Sequence, residues 1–596
     1  MHPGPDRRRG IILTARAEPC ILTAMFLPCT PAEIERLGWD APDVILVSGD
    51  AYLDSPFSGI ALIGRTLANA GFRVAVIPQP DVAKPDDIRR LGQPRLFWGV
   101  SSGCVDSMVA NYTATGKKRH QDDFTPGGLN NARPDRAVIA YCNLIRSAFK
   151  PCKPIVIGGI EASLRRIAHY DFWSDTVRRP ILFDAKADIL VYGMAERTIA
   201  ALARALRDAR EWRTLRGLCY ALPANSDALP QGAVALPDFA AAAADTEAGR
   251  AAFAEMFRLF AANQEPRTAK PLLQRVDTRC LVHTPPDLPI SQAELDAAYA
   301  LPFMLDAHPC HAAKGKVRAL DTIRFSLTTH RGCYGECNFC AIAMHQGRRV
   351  VSRSEASILE EAHRMTRHPK FTGIIQDVGG PTANMYGFEC ERKTNQGPCP
   401  EKRCLYPSCC PALKPDHAAQ LDLLKRLRHI PGVRKVFVAS GIRPDLIDAD
   451  TRHGERYIEE LAAHHVSGQL KLAPEHSEKK VLDAMGKPGN APLLKFKERF
   501  EAANKKHGVK QFLTYYFIAA HPGCGDDDMR ALKRFATQNL NLAPEQVQIF
   551  TPTPSTWSTV MYYTGRDPFS GQPVNVVRGL RAKQDQKDLL VPAPRP

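Results

Sequence analysis

One short stretch constrains this chain more than any other: Arg331-Gly-Cys333-Tyr-Gly-Glu-Cys337-Asn-Phe-Cys340. It follows directly on Ile323 to Thr328, a run that reads as a strand. The C-x3-C-x2-C spacing places three thiols on a single tight loop. A cubane iron–sulfur cluster has four irons, each of which takes one outside ligand, commonly a cysteine thiolate. Three cysteines therefore hold three irons and leave the fourth open. Zinc normally takes four ligands, often as two C-x2-C pairs, so a zinc knuckle fits this loop poorly. Gly332 and Gly335 suit it, because small residues let the backbone approach a cluster closely. Whatever else the chain forms must present this loop at the end of a strand.

The chain has 596 residues, too many for one hydrophobic core, which implies two to four domains. Hydrophobic residues make up 44% and charged residues 24%, as in an ordinary soluble globular protein. No apolar run reaches the roughly 18 residues of a membrane-spanning helix, so no membrane partner is expected. Arg7, Arg8 and Arg9 before Ile11, Ile12 and Leu13 weakly imitate an export signal, but Arg16, Glu18 and Pro19 break the pattern. Residues 1–30 are expected to be a disordered start, and the protein cytoplasmic. Of 17 cysteines, most of those outside the first third cluster between Cys333 and Cys410. In a reducing compartment such clustering points to metal ligation more than to disulfides. The net charge of +16 admits a nucleic-acid partner. The Lys and Arg are spread out, however, and the densest group, Lys117-Lys118-Arg119-His120, is short.

Three segments follow. Residues 31–230 open with strand, helix and strand: Asp43 to Val47, Ile60 to Ala70 stopping at Gly71, and Phe72 to Ile77. That order implies a parallel α/β sheet. Phe97 to Val100, Pro154 to Ile157 and Ile189 to Val191 extend it, and Gly158-Gly159 supplies a turn at the edge where open parallel sheets bind ligands. Residues 231–318 read as a helical connector, with an alanine-rich stretch at Phe239 to Ala262 and a capped helix near Ile290 to Ala300. Residues 319–585 alternate strand and helix six times, as a partial TIM-like (β/α)6 barrel would. A cysteine-rich insertion occupies 386–412, and 586–596 are expected to be a disordered tail. In barrels, active sites sit at the C-terminal strand ends, where the cysteine loop falls.

An open iron is what S-adenosylmethionine (SAM) requires, since its amino and carboxylate groups chelate it. An electron from the reduced cluster then breaks a carbon–sulfur bond and creates a 5′-deoxyadenosyl radical; that chemistry belongs to the cofactor and the protein positions it. The loop resembles the signature of the radical SAM superfamily. More narrowly the chain resembles the YgiQ-type radical SAM proteins, a group of unassigned substrate. Further strings carry this likeness: Gly49-Asp-Ala-Tyr-Leu-Asp54, Gly158-Gly-Ile-Glu-Ala-Ser163, Thr551-Pro-Thr-Pro-Ser555 and Met561-Tyr-Tyr563. It extends from about Phe26 to about Asp567. The resemblance implies a radical SAM enzyme, a [4Fe–4S] cluster on Cys333, Cys337 and Cys340, SAM, and a reducing donor of flavodoxin or ferredoxin type.

Further candidates lie at the strand ends. Phe339 covers the cluster and flanks adenine. Gly379, Gly380 and Thr382 resemble the superfamily's glycine-rich element for the methionine amino group. Ser440 and Arg443 suit ribose and carboxylate, the guanidinium by its two-pronged geometry. Glu475 suits ribose or substrate. His476 and His521 also end strands, as proton relays or as structural residues. No catalytic residue is assigned. Cys390, Cys399, Cys404 and Cys410 form a possible second site for zinc or an iron–sulfur cluster; Cys409 adjoins Cys410 and is left out. The first α/β unit resembles the flavodoxin-like domain that carries cobalamin in some radical SAM methylases. Their Asp-x-His-x-x-Gly pattern reads Asp54-Ser-Pro56-Phe57-Ser-Gly59 here, without the His, which argues against cobalamin. The substrate is unknown, RNA being one macromolecular option. The rival is a non-catalytic iron–sulfur protein that senses redox state or binds RNA.

Overall fold

The computed structural model describes residues 25–397, 399, 401–544 and 547–591. The N-terminal half is built on a nine-stranded sheet. In spatial order its strands are Val234–Ala235, Leu272–Val276, Arg279–His283, Leu218–Pro223, Ile189–Val191, Ile155–Ile157, Phe97–Ser101, Val44–Ser48 and Val74–Pro78. The last five pair in parallel, with Val44 opposite both Val74 and Phe97. Successive side chains of a strand point to opposite faces. Val44, Leu46, Val74 and Val76 accordingly share one apolar cluster with Ile60 and Leu67 of helix Gly59–Asn69. Ile45, Val47, Ala75 and Ile77 share another with Val138, Tyr141 and Ile145 of helix Ala137–Ala148. Strands covered on both faces are continuous hydrophobic runs, which is why this region was legible.

Two expectations are corrected here. Residues 231–318 are not a helical connector. They contain helices Phe239–Ala243 and Glu247–Ala262, but also three strands that extend the sheet. Leu272–Val276 and Arg279–His283 form a hairpin turning at Asp277, whose φ of 54° is left-handed. Polar Gln274 and Arg275 interrupt the first strand and hid it beside the alanine-rich helices. The expected disordered start is also corrected at its end, residues 25–30: Leu27 and Cys29 are buried, and the Val76 amide donates to the Pro28 carbonyl at 2.9 Å. Residues 1–24 of that expected start lie outside the described residues.

The C-terminal half presents six strand positions in succession. Ser326–Thr328 pairs in parallel with Asp377–Gly379, and Ile374–Ile375 with Lys435–Val436. Ile442 bridges Leu472 in parallel. Gln469–Glu475, Phe512–Ala519 and Val547–Ile549 complete the series, again in parallel. Helices such as Glu355–Thr366, Ala418–Arg428 and Ala491–His507 separate them. Ile358, Leu424 and Phe496 from these helices pack on Leu327, Val436 and Phe517 from the strands. Helix Leu580–Leu590 corrects the expected tail: Leu590 enters this core, and the Gln586 side-chain oxygen accepts from the Ala520 amide at 3.1 Å. Of that tail, 592–596 lie outside the described residues. Among the described residues no helix is long and apolar enough to cross a membrane.

The halves share a core. Phe550, Val560 and Tyr562 belong to the same apolar cluster as Ile157, Tyr170 and Phe257 of the N-terminal half. Tyr562 packs on Phe172 and Tyr170 with ring centroids 6.0 and 5.9 Å apart. Removing a buried aromatic side chain costs about 3 kcal/mol or more. Tyr562→Ala should therefore lower the free energy of unfolding by roughly that amount, read from the denaturant midpoint. A loss below about 0.5 kcal/mol, the size of an ordinary surface substitution, would contradict the shared core.

Candidate active site

Gly332 sets the geometry of the cysteine loop. Its φ is +86°, and an added Cβ would lie 1.9 Å from the Arg349 carbonyl oxygen. The turn brings the chain hard against that carbonyl, which only glycine permits. Beyond it the loop is pinned from several sides. Asn338 donates its amide to Met485 and its side chain to Ala484, both at 2.8 Å, and its carbonyl accepts from Ser558 at 2.9 Å. Glu336, itself left-handed at φ 48°, pairs with Arg348 at 2.7 Å. Gly335 packs close, with a would-be Cβ 3.3 Å from Cys333 Sγ and 3.5 Å from Cys337 Sγ.

The three thiols are half-buried. Burial pushes Cys333 up, and burial with the neighbouring Cys337 pushes Cys340 up to about 12. Such thiols hold thiolates only beside compensating positive charge, which ligated iron supplies. The Gly335 amide donates to Cys333 Sγ at 3.3 Å, and Arg443 Nη1 donates to Cys337 Sγ at 3.9 Å. Soft thiolate donors, a close-fitting glycine and N–H···S contacts fit an iron–sulfur cluster.

The strand-end residues divide into two groups. Thr382 and Arg443 touch the cluster thiols; Thr382 Oγ1 is 3.7 Å from Cys333 Sγ. Arg443 is locked by Asp445, Nε to Oδ1 at 2.9 Å and Nη2 to Oδ2 at 2.6 Å. Burial opposes its charge, but Asp445 and the cluster thiols hold its pKa above the ordinary value. Glu475 is buried at φ 69°, 3.5 Å from Lys487, and burial raises its carboxyl. Phe339 packs edge-on against His521 at 6.2 Å. Gly379, Gly380 and Ser440 instead line a cavity of about 500 Å³. Ser440 is tied to Asp377, whose Oδ1 also accepts the Ala439 amide at 2.8 Å. Gly380 lies against His330; a Cβ there would meet the ring at 2.7 Å.

This cavity lies between the halves. Its N-terminal wall comes from the sheet's C-terminal strand ends and the turns after them, Ser101, Gly103, Gly158 and Gly193, with Pro56 and Phe57 from the turn before helix Gly59–Asn69. Four polar lining residues were not singled out by the sequence reasoning: Glu196 on the N-terminal wall, and His330, Arg331 and His345 on the other. Arg331 Nη1 donates to Glu196 Oε1 at 2.6 Å, with both side chains buried. Burial lowers both His330 and His345 to about 4, and each has one ring nitrogen without a hydrogen-bond partner. Only the adjacency of His330 and Arg331 to Cys333 signalled them; Glu196 is remote in sequence. His476 and His521 are satisfied, His476 by Cys524 at 3.5 Å and the Glu478 amide at 3.1 Å, His521 by Ser558 at 2.7 Å.

The insertion covers the cluster loop. Tyr334 donates its hydroxyl to the Phe388 carbonyl, and Lys393 donates to Cys404 Sγ at 3.5 Å. Cys390, Cys404 and Cys409 share an apolar cluster with Cys333 and Tyr334. Among the described residues, no three of Cys390, Cys399, Cys404 and Cys410 come within 4.8 Å of one another.

Comparison with known proteins agrees with this geometry. The description "Radical SAM N-terminal" matches residues 26–326, "Radical SAM superfamily" residues 327–536, and "Domain of unknown function (DUF3362)" residues 545–591. The fold and the cysteine loop are those of a radical SAM enzyme. A UPF0313 protein of Fusobacterium nucleatum is 54% identical over 95% of this chain and 98% of its own length. One from Thermotoga maritima is 47% identical over 95% and 98%. This chain belongs to the UPF0313 family of radical SAM proteins. Among solved structures, the radical SAM methyltransferase TsrM from Kitasatospora setae, with cobalamin and a [4Fe–4S] cluster bound, aligns at 16% identity and TM-score 0.47, over 87% of this chain and 76% of that one. The cobalamin-dependent radical enzyme OxsB, with aqua-cobalamin bound, aligns at 13% and 0.47, over 90% and 57%.

Gly332→Ala should abolish cluster assembly, leaving far fewer than four irons per chain after anaerobic reconstitution. Gly441→Ala, at a position with open space around it, should keep them. Full iron loading in Gly332→Ala would show that the turn does not set the loop.

Proposed function

We propose that this protein cleaves SAM reductively and directs the resulting radical at a substrate held in the cavity between its halves. The observation that carries this reading is the placement of the thiol loop: cavity-lining Arg331 and Ile342 flank it in sequence on either side. When bound, the reduced cluster supplies the electron that breaks a SAM carbon–sulfur bond, and its open iron binds the methionine end. Cys333, Cys337 and Cys340 hold three irons. Gly379, Gly380 and Thr382 border the methionine end, Ser440 the ribose, and Phe339 the adenine. Arg443, held flat by Asp445, offers its remaining donors to the SAM carboxylate. Glu475 stands ready for ribose or substrate.

The finer architecture follows the same reading. The N-terminal parallel strands run in the sequence order 2-1-3-4-5, the flavodoxin-like order, which binds ligands beyond the carboxyl ends of its strands. The cavity occupies that position, and the six-strand succession supports a partial TIM-like barrel beneath it. A reducing, cytoplasmic setting with a flavodoxin- or ferredoxin-type donor goes with this chemistry, because the cluster needs an electron. A second group, zinc or an iron–sulfur cluster, would draw on Cys390, Cys399, Cys404 and Cys410.

The direct test is anaerobic. Reconstituted protein with dithionite and SAM should release 5′-deoxyadenosine, and Cys333→Ala/Cys337→Ala/Cys340→Ala should release none. Fully loaded wild type that forms no 5′-deoxyadenosine would favour a redox-sensing cluster instead.

A polyanionic substrate such as RNA is a second reading, which one observation favours. A smaller cavity of about 150 Å³ adjoins the first, shares Glu196, Arg331 and His345 with it, and adds Arg197, Arg267, Arg348 and Arg349 beside Glu265 and Asp287. Cations at a cavity mouth concentrate anions. RNA binding should then weaken steeply between low and moderate salt and weaken further in Arg349→Ala. No binding at low salt would exclude it.

A further inference from the structure

Three potential metal ligands converge far from the cluster loop. Cys29 lies in the segment that enters the N-terminal half, whereas His308 and Cys310 follow strand Asp306–Ala307, which pairs with Leu53–Asp54. Their ligand atoms all lie within 4.8 Å of one another. Cys29 and His308 are buried, at 1% and 2% exposure, and Cys310 reaches solvent. Neither cysteine is in a disulfide.

The surroundings orient these groups. Glu33 Oε1 lies 3.1 Å from His308 Nε2. Its other oxygen accepts the amides of Cys29 and Thr30 at 2.9 and 3.0 Å. Nε2 makes no hydrogen bond, and Glu33 stands beside it as a charge; a carboxylate so placed favours the ring proton on Nε2 and leaves Nδ1 for a metal. The Cys310 amide donates to Nδ1 at 3.1 Å, so the ring proton sits on Nε2 and Nδ1 presents the lone pair, which a metal would take in place of that amide. The imidazole stacks on Tyr52 at 5.8 Å and meets the edge of Phe26 at 5.2 Å, so its plane is held. The turn is held as well: the His308 amide donates to the Tyr52 carbonyl, and His311 Nε2 accepts the Tyr52 amide, both at 2.9 Å. With Nε2 accepting, His311 Nδ1 carries the proton and stands as a donor beside the Cys310 sulfur.

We propose that Cys29, His308 and Cys310 bind a zinc ion, with solvent in the fourth position. Two thiolates and an imidazole are a donor set that suits zinc, and an oxygen-preferring cation would not choose it. The exposed Cys310 side gives the ion its way in, and binding releases the two thiol protons. The ion would tie the entering segment to the chain just before the cluster-bearing half, joining residues remote in sequence. This site is independent of SAM chemistry.

The test uses the full-length protein purified anaerobically without added zinc. Elemental analysis should find one zinc per chain that is absent from Cys29→Ser/Cys310→Ser and retained in Cys404→Ser/Cys410→Ser. Zinc-edge X-ray absorption should show two sulfurs at about 2.3 Å with nitrogen and oxygen neighbours. Should the double variant fold poorly, Glu33→Gln keeps all three ligands and should weaken zinc retention against a chelator roughly 10–100-fold. Wild type without zinc, zinc that persists in Cys29→Ser/Cys310→Ser, or a Cys29–Cys310 disulfide found by mass spectrometry would each overturn the proposal.

Discussion

The buried ion pair between Arg331 and Glu196 is the contact on which the arrangement of this molecule turns. Arg331 stands two residues before the first cluster cysteine, and Glu196 opens a helix of the other half. The Tyr299 ring lies under the guanidinium at 5.3 Å. Taking two charges out of water is expensive, and replacing a buried pair with apolar residues often leaves stability unchanged or raises it. Its value here is placement. Breaking it would strand a charge at the junction of both cavities, so the cluster loop and the N-terminal sheet hold one relative position.

From that position the site follows. Strand ends of the parallel sheet face strand ends of the cluster half, and the space between is walled by glycines on one side and by His330, Arg331 and His345 on the other. Glycine turns let backbone come close to a ligand. Buried histidines held neutral act as acceptors or donors without bringing a charge into the cavity. A radical enzyme needs such an enclosure, because a reactive carbon radical abstracts hydrogen from whatever is nearest.

Much of this was legible in the sequence because its signals are local. The parallel strands are unbroken apolar runs, and the cysteine loop carries its chemistry in its spacing. What was missed depends on contacts remote in sequence. The hairpin Leu272–Val276 and Arg279–His283 has polar residues where a strand needs apolar ones, since Gln274 is buried by hydrogen bonding, not by hydrophobicity; its oxygen accepts the Ala168 amide at 2.8 Å. Glu196 gains its meaning only from Arg331. Cys29 looked like one thiol in a disordered start, and only folding brings it to His308 and Cys310. Arg443 was read as a carboxylate binder from its own position alone, and Asp445, two residues on, takes two of its five N–H donors.

The central claim is that three cysteines leave one iron of the cluster open for SAM. Mössbauer spectroscopy of protein reconstituted with iron-57 tests it most directly, with spectra taken before and after SAM is added. The account predicts that one iron of the cubane changes its isomer shift and quadrupole splitting on SAM addition while the other three stay as they were. A loaded cluster whose irons all ignore SAM would contradict it.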